Sequence, residues 1–261
     1  MQWREESGVR WLEADLGGAR AAFSTRLGGA SAAPFDSLNL GILTEDEPAN
    51  VHENRRRLAA ALGRDPERVA FARQVHGAEL ITHDERLNRA LAFPWDSKAQ
   101  VDPDPPEADG HVVGEAGLAA LVFVADCLPV ALSGPGGVAM LHCGWRGLAA
   151  GIVARGAAAV GATAAAVGPG IGPCCYEVGP EVLDAFSEVL DADGPERRAA
   201  AGRRLDLPEV ARLLLREAGV ERVESAGLCT ACEPELFFSH RRDAGRTGRQ
   251  AGLAWIEPEA A

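Results

Sequence analysis

Three segments of the chain place a histidine or a cysteine at the end of an apolar stretch. His76 ends one strand-like run, Cys127 follows a second, and His142 ends a third that opens into a glycine-rich helix. Polar residues at strand ends, followed by tight turns, commonly build α/β-type sites. Two imidazoles and one thiolate suit Zn²⁺ with an open fourth position, the arrangement of a catalytic zinc. The pattern therefore indicates metal-assisted chemistry, with copper as an alternative ion because it outranks zinc in affinity.

The same residues allow other interpretations. Histidines and cysteines beside apolar strands often only pack in a core, because cysteine is among the most buried residue types. Cys127 could instead be a nucleophile with His76 or His142 as its base, which predicts a cysteine hydrolase or amidase. Asp126 could orient a histidine, transfer a proton or cap a strand. From the residues alone these alternatives stay open.

The other cysteines offer a second candidate site. Cys174 and Cys175 are adjacent, whereas two residues separate Cys229 from Cys232. A four-cysteine structural zinc site is disfavoured, because adjacent cysteines rarely bind one ion together and the first pair lacks the two-residue spacing of such sites. The preferred interpretation is buried thiols, or a cysteine near the site.

Arginine placement is the second signal for chemistry. The segment 240–249 holds four arginines and one aspartate within a chain of formal net charge −12. Glycines among arginines let the backbone approach a ligand while guanidinium groups bind planar oxyanions. The alternative is a solvated basic loop. The arginines predicted to bind anions are Arg26, Arg146, Arg241, Arg242 and Arg249.

The elements that must position these residues are short and mixed in type. Capping residues and periodicity predict helices over 50–62, 148–160, 180–190 and 206–218. Apolar runs predict strands over 20–25, 68–75, 79–82, 118–125, 129–132, 138–142, 164–167 and 253–256. Because strands outnumber helices and often follow one another directly, the pattern favours a mixed-sheet α+β fold. The proline- and acid-rich stretch Lys98–Asp109 is predicted to be a surface loop, and candidate site residues on both sides of it favour one domain over 1–261.

Composition and charge narrow the class of protein. The 261 residues are 47% hydrophobic and 25% charged, which is close to globular averages. An excess of 38 acidic over 26 basic residues disfavours nucleic-acid binding. No apolar run reaches membrane-spanning length, no leader-like segment is present, and six cysteines are too sparse for a secreted disulfide scaffold. We therefore expect a cytoplasmic protein without membrane contact.

Taken together, the motifs resemble those of the YfiH family, also called the laccase-domain or multicopper polyphenol oxidoreductase family. The resemblance covers nearly the whole chain. The matching stretches, in order, are Ser24–Gly29, Phe35–Gly41, Glu53–Arg55, Gln74–Gly77, Ala108–Gly110, Ala125–Val130, His142–Gly147, Gly168–Val178, Cys229–Thr230, Phe237–Asp243 and Gly248–Gln250. Residues 42–47 depart from the family pattern, and residues 83–107 form a longer stretch than expected, so the pocket rim and the substrate preference are expected to differ.

The resemblance implies a three-layer α+β fold with mixed sheets and a purine nucleoside enzyme with one divalent metal, normally zinc. The family's metal ligands carry over to His76, Cys127 and His142. Relatives cleave inosine, adenosine and methylthioadenosine with phosphate, and many deaminate adenosine, so a purine nucleoside and phosphate are the implied partners. A role in editing peptidoglycan precursors, to which relatives have been linked, is an alternative.

Roles for other residues follow from that implied chemistry. Asp126 is the candidate proton carrier for deamination. Phosphorolysis requires groups that position the anion and the departing base. The candidate phosphate or ribose clamps are Arg26, Arg241, Arg242 and Arg249, with Asn39 as a polar selector.

The older laccase name conflicts with the chain itself. A blue-copper site needs two histidines, a cysteine and usually an axial methionine, and the methionines are Met1 and Met140. A multicopper oxidase, as a family, also needs a trinuclear cluster fed by His-x-His pairs. The six histidines, at 52, 76, 83, 111, 142 and 240, form no such pair. Polyphenol oxidation is therefore disfavoured.

Overall fold

The computed structural model of the chain describes residues 1–84, 106–187, 200–201 and 203–257. Within these ranges the backbone forms two six-stranded sheets and a two-stranded ribbon. The strands are β1 (Gln2–Glu6), β2 (Val9–Asp15), β3 (Ala19–Ser24), β4 (Val69–Ala70), β5 (Leu80–His83), β6 (Gly110–Val113), β7 (Ala119–Val124), β8 (Leu128–Gly134), β9 (Gly137–Cys143), β10 (Ala164–Val167), β11 (Ala200–Ala201), β12 (Arg204–Leu205), β13 (Arg222–Ser225) and β14 (Gln250–Ile256). The helices are α1 (Pro48–Ala61), α2 (Trp145–Ala149), α3 (Ile152–Val160), α4 (Pro180–Asp184) and α5 (Leu207–Glu217), with a short 3₁₀ turn over Pro66–Arg68.

The first sheet has the strand order β1-β2-β3-β14-β7-β4. Its pairs are antiparallel except β4 with β7, which run parallel. The strand latest in the sequence, β14, lies in the middle of the sheet between β3 and β7. The first sheet therefore joins segments that are more than 200 residues apart in sequence.

The second sheet has the order β13-β10-β8-β9-β6-β5 and carries most of the site. Strands β8 and β9 form a hairpin in which Leu128 faces Cys143 and Pro129 faces His142. The pairs β5 with β6 and β10 with β13 are parallel, and the other pairs are antiparallel. The hairpin register brings the start of β8 beside the end of β9.

The two sheets pack face to face, and helices cover their outer faces. Phe23 and Val122 of the first sheet share a buried core with Val138 and Met140 of the second. Helices α3 and α5 cover the other face of the second sheet, and α1 covers the other face of the first. The predicted α+β class with mixed sheets is confirmed, and α1 adds a fourth layer to the three expected. That residues 1–261 form a single domain stays a prediction.

Helix boundaries differ from the predicted ones where glycine and proline act. Helix α1 begins at Pro48, two residues earlier than predicted, because Glu47 is extended and proline suits the first turn. The predicted helix 148–160 is interrupted at Gly151, whose φ of 84° is left-handed, and it divides into α2 and α3. Helix α4 ends at Asp184 rather than 190, and residues 188–190 lie outside the described ranges. Asp206 caps α5 as predicted, accepting a hydrogen bond from Glu209 N at 3.0 Å.

Two other predicted segments also differ from the structure. Only Val69–Ala70 of the predicted strand 68–75 pairs in a sheet; a 3₁₀ turn precedes it and a loop follows. In the predicted surface loop Lys98–Asp109, residues 98–105 lie outside the described ranges, but Asp109 is fully buried. The assignment of Asp109 to a solvated loop was wrong, because its carboxylate finds its partners inside the protein. Among the described helices, none is long and apolar enough to cross a membrane.

Candidate metal centre

The three predicted metal ligands meet at the ends of neighbouring strands. Cys127 lies in the turn between β7 and β8, His142 lies near the end of β9, and His76 lies in the loop after β4. One ligand atom from each residue lies within 4.8 Å of the others. The two imidazole rings are 4.8 Å apart between centroids, at an interplanar angle of 74°. The β8–β9 hairpin brings Cys127 and His142 together, and the loop around His76 completes the set.

Asp109, at the start of β6, holds both histidines in place. One carboxylate oxygen lies 2.7 Å from His142 Nδ1, and the two oxygens accept the backbone N–H groups of Val75, His76 and Gly77 at 2.7–3.0 Å. These bonds fix His76 with a left-handed φ of 61°, a conformation unusual for a non-glycine residue. Because Asp109 accepts from Nδ1, the Nε2 atom of His142 remains to bind a ligand.

The electrostatics of the site favour a positive charge among its members. Burial raises the pKa of Cys127, but His142 and His76 outweigh burial and lower it to about 6. Burial lowers the pKa of His142, but the Cys127 sulfur and the Asp109 carboxylate raise it to about 9. Hydrogen bonds from His142 and Gly77 likewise overcome burial and hold the pKa of Asp109 below its ordinary value. A divalent cation supplies such a charge.

The backbone next to the ligands leaves room for an ion but none for another side chain. A Cβ atom at Gly144 would lie 3.0 Å from Cys127 Sγ and 3.4 Å from His76 Cδ2. Two imidazole nitrogens and one sulfur form the donor set of a three-ligand zinc site, and Asp109 supplies the outer carboxylate that such histidines commonly require. The residues present therefore fit a single divalent metal.

Asp126, the predicted proton carrier, lies beside Cys127 in a strained backbone conformation with a φ of 87°. Its carboxylate accepts a hydrogen bond from Thr230 Oγ1 at 2.6 Å and another from Arg241 N at 2.6 Å. The side chain is largely buried, so its position is fixed by two segments distant in sequence. Asp126 therefore links the metal-ligand turn to the arginine-rich segment.

Three predicted substrate-binding residues are occupied by bonds within the protein. Arg26 donates to Asp36 O and Pro234 O, and Arg242 donates to Thr230 O, Phe237 O and both oxygens of Asp243. Asn39 is fully buried, donates to Thr44 and Asp46, and accepts from the backbone N–H groups of Gly41 and Arg249. These contacts give the three side chains clear roles in holding loops together.

The other predicted arginines lie around the metal ligands. Burial raises the pKa of Tyr176 to about 12. Cys127 and Asp126 also raise this pKa, whereas Arg241 and Arg146 lower it. The Arg241 guanidinium lies 5.2 Å from the Tyr176 ring centroid. Burial lowers the pKa of Arg249, while Cys127 and Asp126 oppose that effect. Tyr176 and Arg249 therefore interact electrostatically with both Cys127 and Asp126, and Arg146 and Arg241 interact with Tyr176.

The four remaining candidate cysteines lie together in the structure. The sulfur atoms of Cys174, Cys175, Cys229 and Cys232 are all within 4.8 Å of one another. The prediction of buried thiols was wrong, since Cys174 and Cys232 are exposed, Cys175 and Cys229 are only partly buried, and all four sulfurs converge. The Cys229-x-x-Cys232 spacing was the correct signal, and the turn at 172–176 brings both adjacent cysteines to it.

Comparison with known proteins places these features in a family. A family model described as multi-copper polyphenol oxidoreductase laccase matches residues 20–257. Purine nucleoside phosphorylase YlmD of Geobacillus stearothermophilus is 40% identical over 257 aligned residues, covering 92% of this chain and 90% of that protein. Purine nucleoside phosphorylase YfiH of Escherichia coli is 38% identical over 246 residues, covering 92% and 94%. The chain belongs to the YfiH family.

Solved structures of YfiH proteins share the fold. The crystal structure of Bacillus licheniformis hypothetical protein YfiH superposes with a TM-score of 0.85 at 32% identity, covering 98% of this chain and 99% of that one. The crystal structure of YlmD from Geobacillus stearothermophilus gives a TM-score of 0.84 at 35% identity, with the same coverage. The two-sheet architecture is therefore that of the YfiH family.

Proposed function

We propose that this YfiH-family chain is a purine nucleoside phosphorylase that works with one zinc ion bound by His76, Cys127 and His142. The observation that carries the proposal is the convergence of these three donor atoms within 4.8 Å, with Asp109 orienting a histidine from behind. Relatives that match over nine-tenths of the chain carry the name purine nucleoside phosphorylase. The proposed substrates are inosine, adenosine or methylthioadenosine together with inorganic phosphate.

The chain's own residues prepare the site for this chemistry. A zinc ion bound there supplies a Lewis acid that polarises substrate oxygen or activates water at neutral pH. Asp109 holds His142 with Nε2 directed away from its own carboxylate, and it fixes the loop that carries His76. Asp126, held by Thr230 and Arg241, is positioned to carry a proton in the proposed second activity, the deamination of adenosine.

Phosphate binding is assigned to the arginines whose side chains lie around Tyr176 and the metal ligands. Arg241 and Arg146 flank Tyr176, and Arg249 lies within electrostatic range of Cys127 and Asp126. Guanidinium groups bind phosphate oxygens in a bidentate manner and counter the charge of the attacking anion. Tyr176 offers a ring on which a purine can stack. Arg241 donates to Glu177 O and Arg249 donates to Thr247 O and Gly248 O, so these arginines also have contacts within the protein. Arg26 and Arg242 are the weaker candidates because each also pairs with a carboxylate, that of Asp36 or Asp243.

A cysteine hydrolase is the second candidate, favoured by the thiolate character of Cys127. With a pKa of about 6 and His142 beside it, Cys127 resembles an activated nucleophile. In that enzyme the Cys127 sulfur would be acylated and metal chelation would leave turnover intact. Iodoacetamide would inactivate it without any loss of bound ion.

Copper-based polyphenol oxidation finds no support in the arrangement of ligands. Met140 is fully buried in the core between the two sheets, and the group of His, Cys and acidic side chains around Cys127 has two histidines as its other members. All six histidines lie in the described part of the chain, where His83 pairs with His111 and His76 with His142. No cluster of three His, Cys or acidic groups other than the two described above occurs in that part.

The proposed function is tested by metal analysis of the purified protein and by chromatography of inosine incubated with phosphate. We expect His76→Ala to lose the ion and nucleoside cleavage while keeping the circular dichroism spectrum of the wild type. His52→Ala, on helix α1, is the matched control and should keep both ion and activity. Unchanged turnover in His76→Ala would refute the site, and turnover that persists after chelation would favour the hydrolase. The proposed location is the cytoplasm, because six cysteines among 261 residues are too sparse for a secreted disulfide scaffold.

A further inference from the structure

Two loops outside the His-Cys-His centre bring four cysteines together. Cys174 and Cys175 lie in a turn closed by bonds from Cys175 N and Tyr176 N to Gly172 O. Cys229 and Cys232 lie in a second turn, closed by a bond from Cys232 N to Cys229 O at 3.1 Å. A parallel bridge between Gly170 and Cys229 aligns the two turns. The backbone therefore fixes which sulfur atoms meet.

The sulfur positions match the requirements of one tetrahedral ion. Cys232 Sγ lies 3.3 Å from Cys174 Sγ and 3.4 Å from Cys175 Sγ, and all four sulfurs fall within 4.8 Å of one another. A zinc–sulfur bond of about 2.3 Å in a tetrahedron separates ligand sulfurs by about 3.8 Å. None of the four thiols is in a disulfide. A small inward or outward movement of the side chains brings every pair to the required separation.

The backbone around the sulfurs supports a charged cluster. Gly172 N donates a hydrogen bond to Cys229 Sγ at 3.3 Å, the kind of outer contact that stabilises a metal-bound thiolate. A Cβ atom at Gly172 would lie 3.4 Å from both Cys174 Sγ and Cys229 Cβ, so the backbone at Gly172 lies against both turns. Four thiols gathered without a cation would be open to oxidation, because two of them are exposed.

We propose that Cys174, Cys175, Cys229 and Cys232 form a second metal site, which binds one structural zinc ion through four thiolates. The site has no open coordination position, so it holds the fold rather than reacting. This inference does not depend on the proposed function, because it uses none of the residues of the first centre.

The second site bears on the first through Asp126. Thr230, next to Cys229, donates its hydroxyl to Asp126 at 2.6 Å, and Ile171, in the loop before Cys174, donates its backbone N–H to Asp126 O at 2.8 Å. Both loops that carry the cysteines therefore also hold the residue beside Cys127. A zinc ion joining the two loops stabilises the strained φ of Asp126 from both sides.

The test is the zinc content of variants purified under reducing conditions with zinc present. We expect two zinc ions per chain in the wild type, one in His76→Ala, one in Cys229→Ser/Cys232→Ser, and none when these changes are combined. The matched control is Glu233→Gln, an exposed neighbour of Cys232, which should keep two ions. No zinc in His76→Ala, or the same zinc content in Cys229→Ser/Cys232→Ser as in the wild type, would overturn the proposal.

A spectroscopic measurement on the metal-exchanged protein covers the case in which the double-serine variant fails to fold. After replacement of zinc by Co²⁺, sulfur-to-metal charge-transfer absorption rises with the number of thiolate ligands. His76→Ala keeps only the four-cysteine site and should show about four times the absorption that the single Cys127 thiolate adds in the wild type. Absence of this absorption in His76→Ala would contradict the proposal. A disulfide among the four cysteines, detected by mass spectrometry in protein purified under reducing conditions, would also contradict it.

Discussion

Asp109 connects both histidines of the metal centre to one buried carboxylate. Its carboxylate accepts hydrogen bonds from His142 Nδ1 and from three consecutive backbone N–H groups, including that of His76. A single side chain therefore fixes the positions of both histidines. Outer carboxylates of this kind raise the basicity of a ligand histidine and fix its ring orientation. The positions of both histidine side chains therefore depend on a residue outside the proposed ligand set.

We expect Asp109→Asn to weaken metal binding without abolishing it. An amide keeps the size of the side chain but replaces one acceptor oxygen by a donor, which opposes some of the N–H groups at 75–77. Loss of an outer-shell partner typically costs about 10- to 100-fold in metal affinity. Competition with a chromophoric chelator measures the change. Glu107→Gln, an exposed neighbour paired with Arg73, is the control and should retain wild-type affinity; equal affinities for both variants would contradict the role of Asp109.

Residue type and position made His76, Cys127 and His142 candidates and left their role open, and the family resemblance implied that they bind a metal; the buried position of Asp109 was not predicted. His76, Cys127 and His142 each end an apolar run, and that pattern survives in three dimensions. Asp109 follows prolines and other acids, a composition typical of solvated loops, and its burial depends on pairing with a histidine 33 residues away. The apolar residues that follow it in β6 were the available signal, since a lone aspartate at the start of a buried strand must find partners.

At the scale of elements, the segment 240–249 combines one anchoring arginine with one that faces the site. Arg242 is bound through its guanidinium to Asp243, Thr230 O and Phe237 O, which holds the segment against the fold. Arg241 reaches over Tyr176 and is more exposed. Arg241 and Arg242 therefore have different proposed roles, although the sequence alone predicted anion binding for both.

We expect Arg241→Ala and Arg242→Ala to fail in different ways. Without the Arg241 guanidinium, KM for phosphate should rise about 10- to 100-fold, the equivalent of one or two charge-assisted hydrogen bonds, while loss of its bond to Glu177 O lowers the free energy of unfolding by no more than about 1 kcal/mol. Without Arg242, the free energy of unfolding should fall by about 1–3 kcal/mol. Steady-state kinetics and urea titration separate the two effects. A phosphate KM unchanged in Arg241→Ala would remove that residue from the binding site.

Element prediction was most accurate where one local rule decided the outcome. Strand β10 and the Asp206 cap were correct because an apolar run or a capping side chain is a short-range signal. Strands β1 and β13 were missed, because they lie at sheet edges where half-exposed or exposed residues leave little apolar signal. The interior strands β2 and β6 were missed as well: charged residues interrupt the apolar positions of β2, and β6 is only four residues long. The break at Gly151 requires a left-handed φ, which the sequence permits but does not impose.

At the scale of the whole molecule, a buried histidine pair makes stability depend on pH. His83 Nε2 lies 3.0 Å from His111 Nδ1, between the parallel strands β5 and β6. Burial lowers the pKa of His83 to about 4, against a rise caused by Asp84. Burial and the neighbouring His83 lower the pKa of His111 to about 3. Both rings are therefore neutral in the folded protein well below the ordinary histidine pKa of about 6.5.

The free energy of unfolding should fall as pH decreases from about 6.5 towards 4. In this window the unfolded chain binds protons that the folded chain does not, so stability is fully present above about pH 6.5 and is lost on acidification. Each histidine contributes a slope of up to about 1.4 kcal/mol per pH unit. Urea titrations at several pH values measure it. The slope should be smaller in His83→Gln and unchanged in His52→Gln; equal slopes in both variants would show that the pair does not titrate as described.

The central place of β14 constrains how the protein is made. Residues 250–256 insert between β3 and β7. Until the ribosome has added them, the β1–β3 part of the first sheet cannot be joined to β7 through β14. The nascent chain must keep an open gap in its first sheet, with the facing edges of β3 and β7 unpaired, until residues 250–256 have been synthesised. Deletion of those residues would leave both edges permanently without a partner.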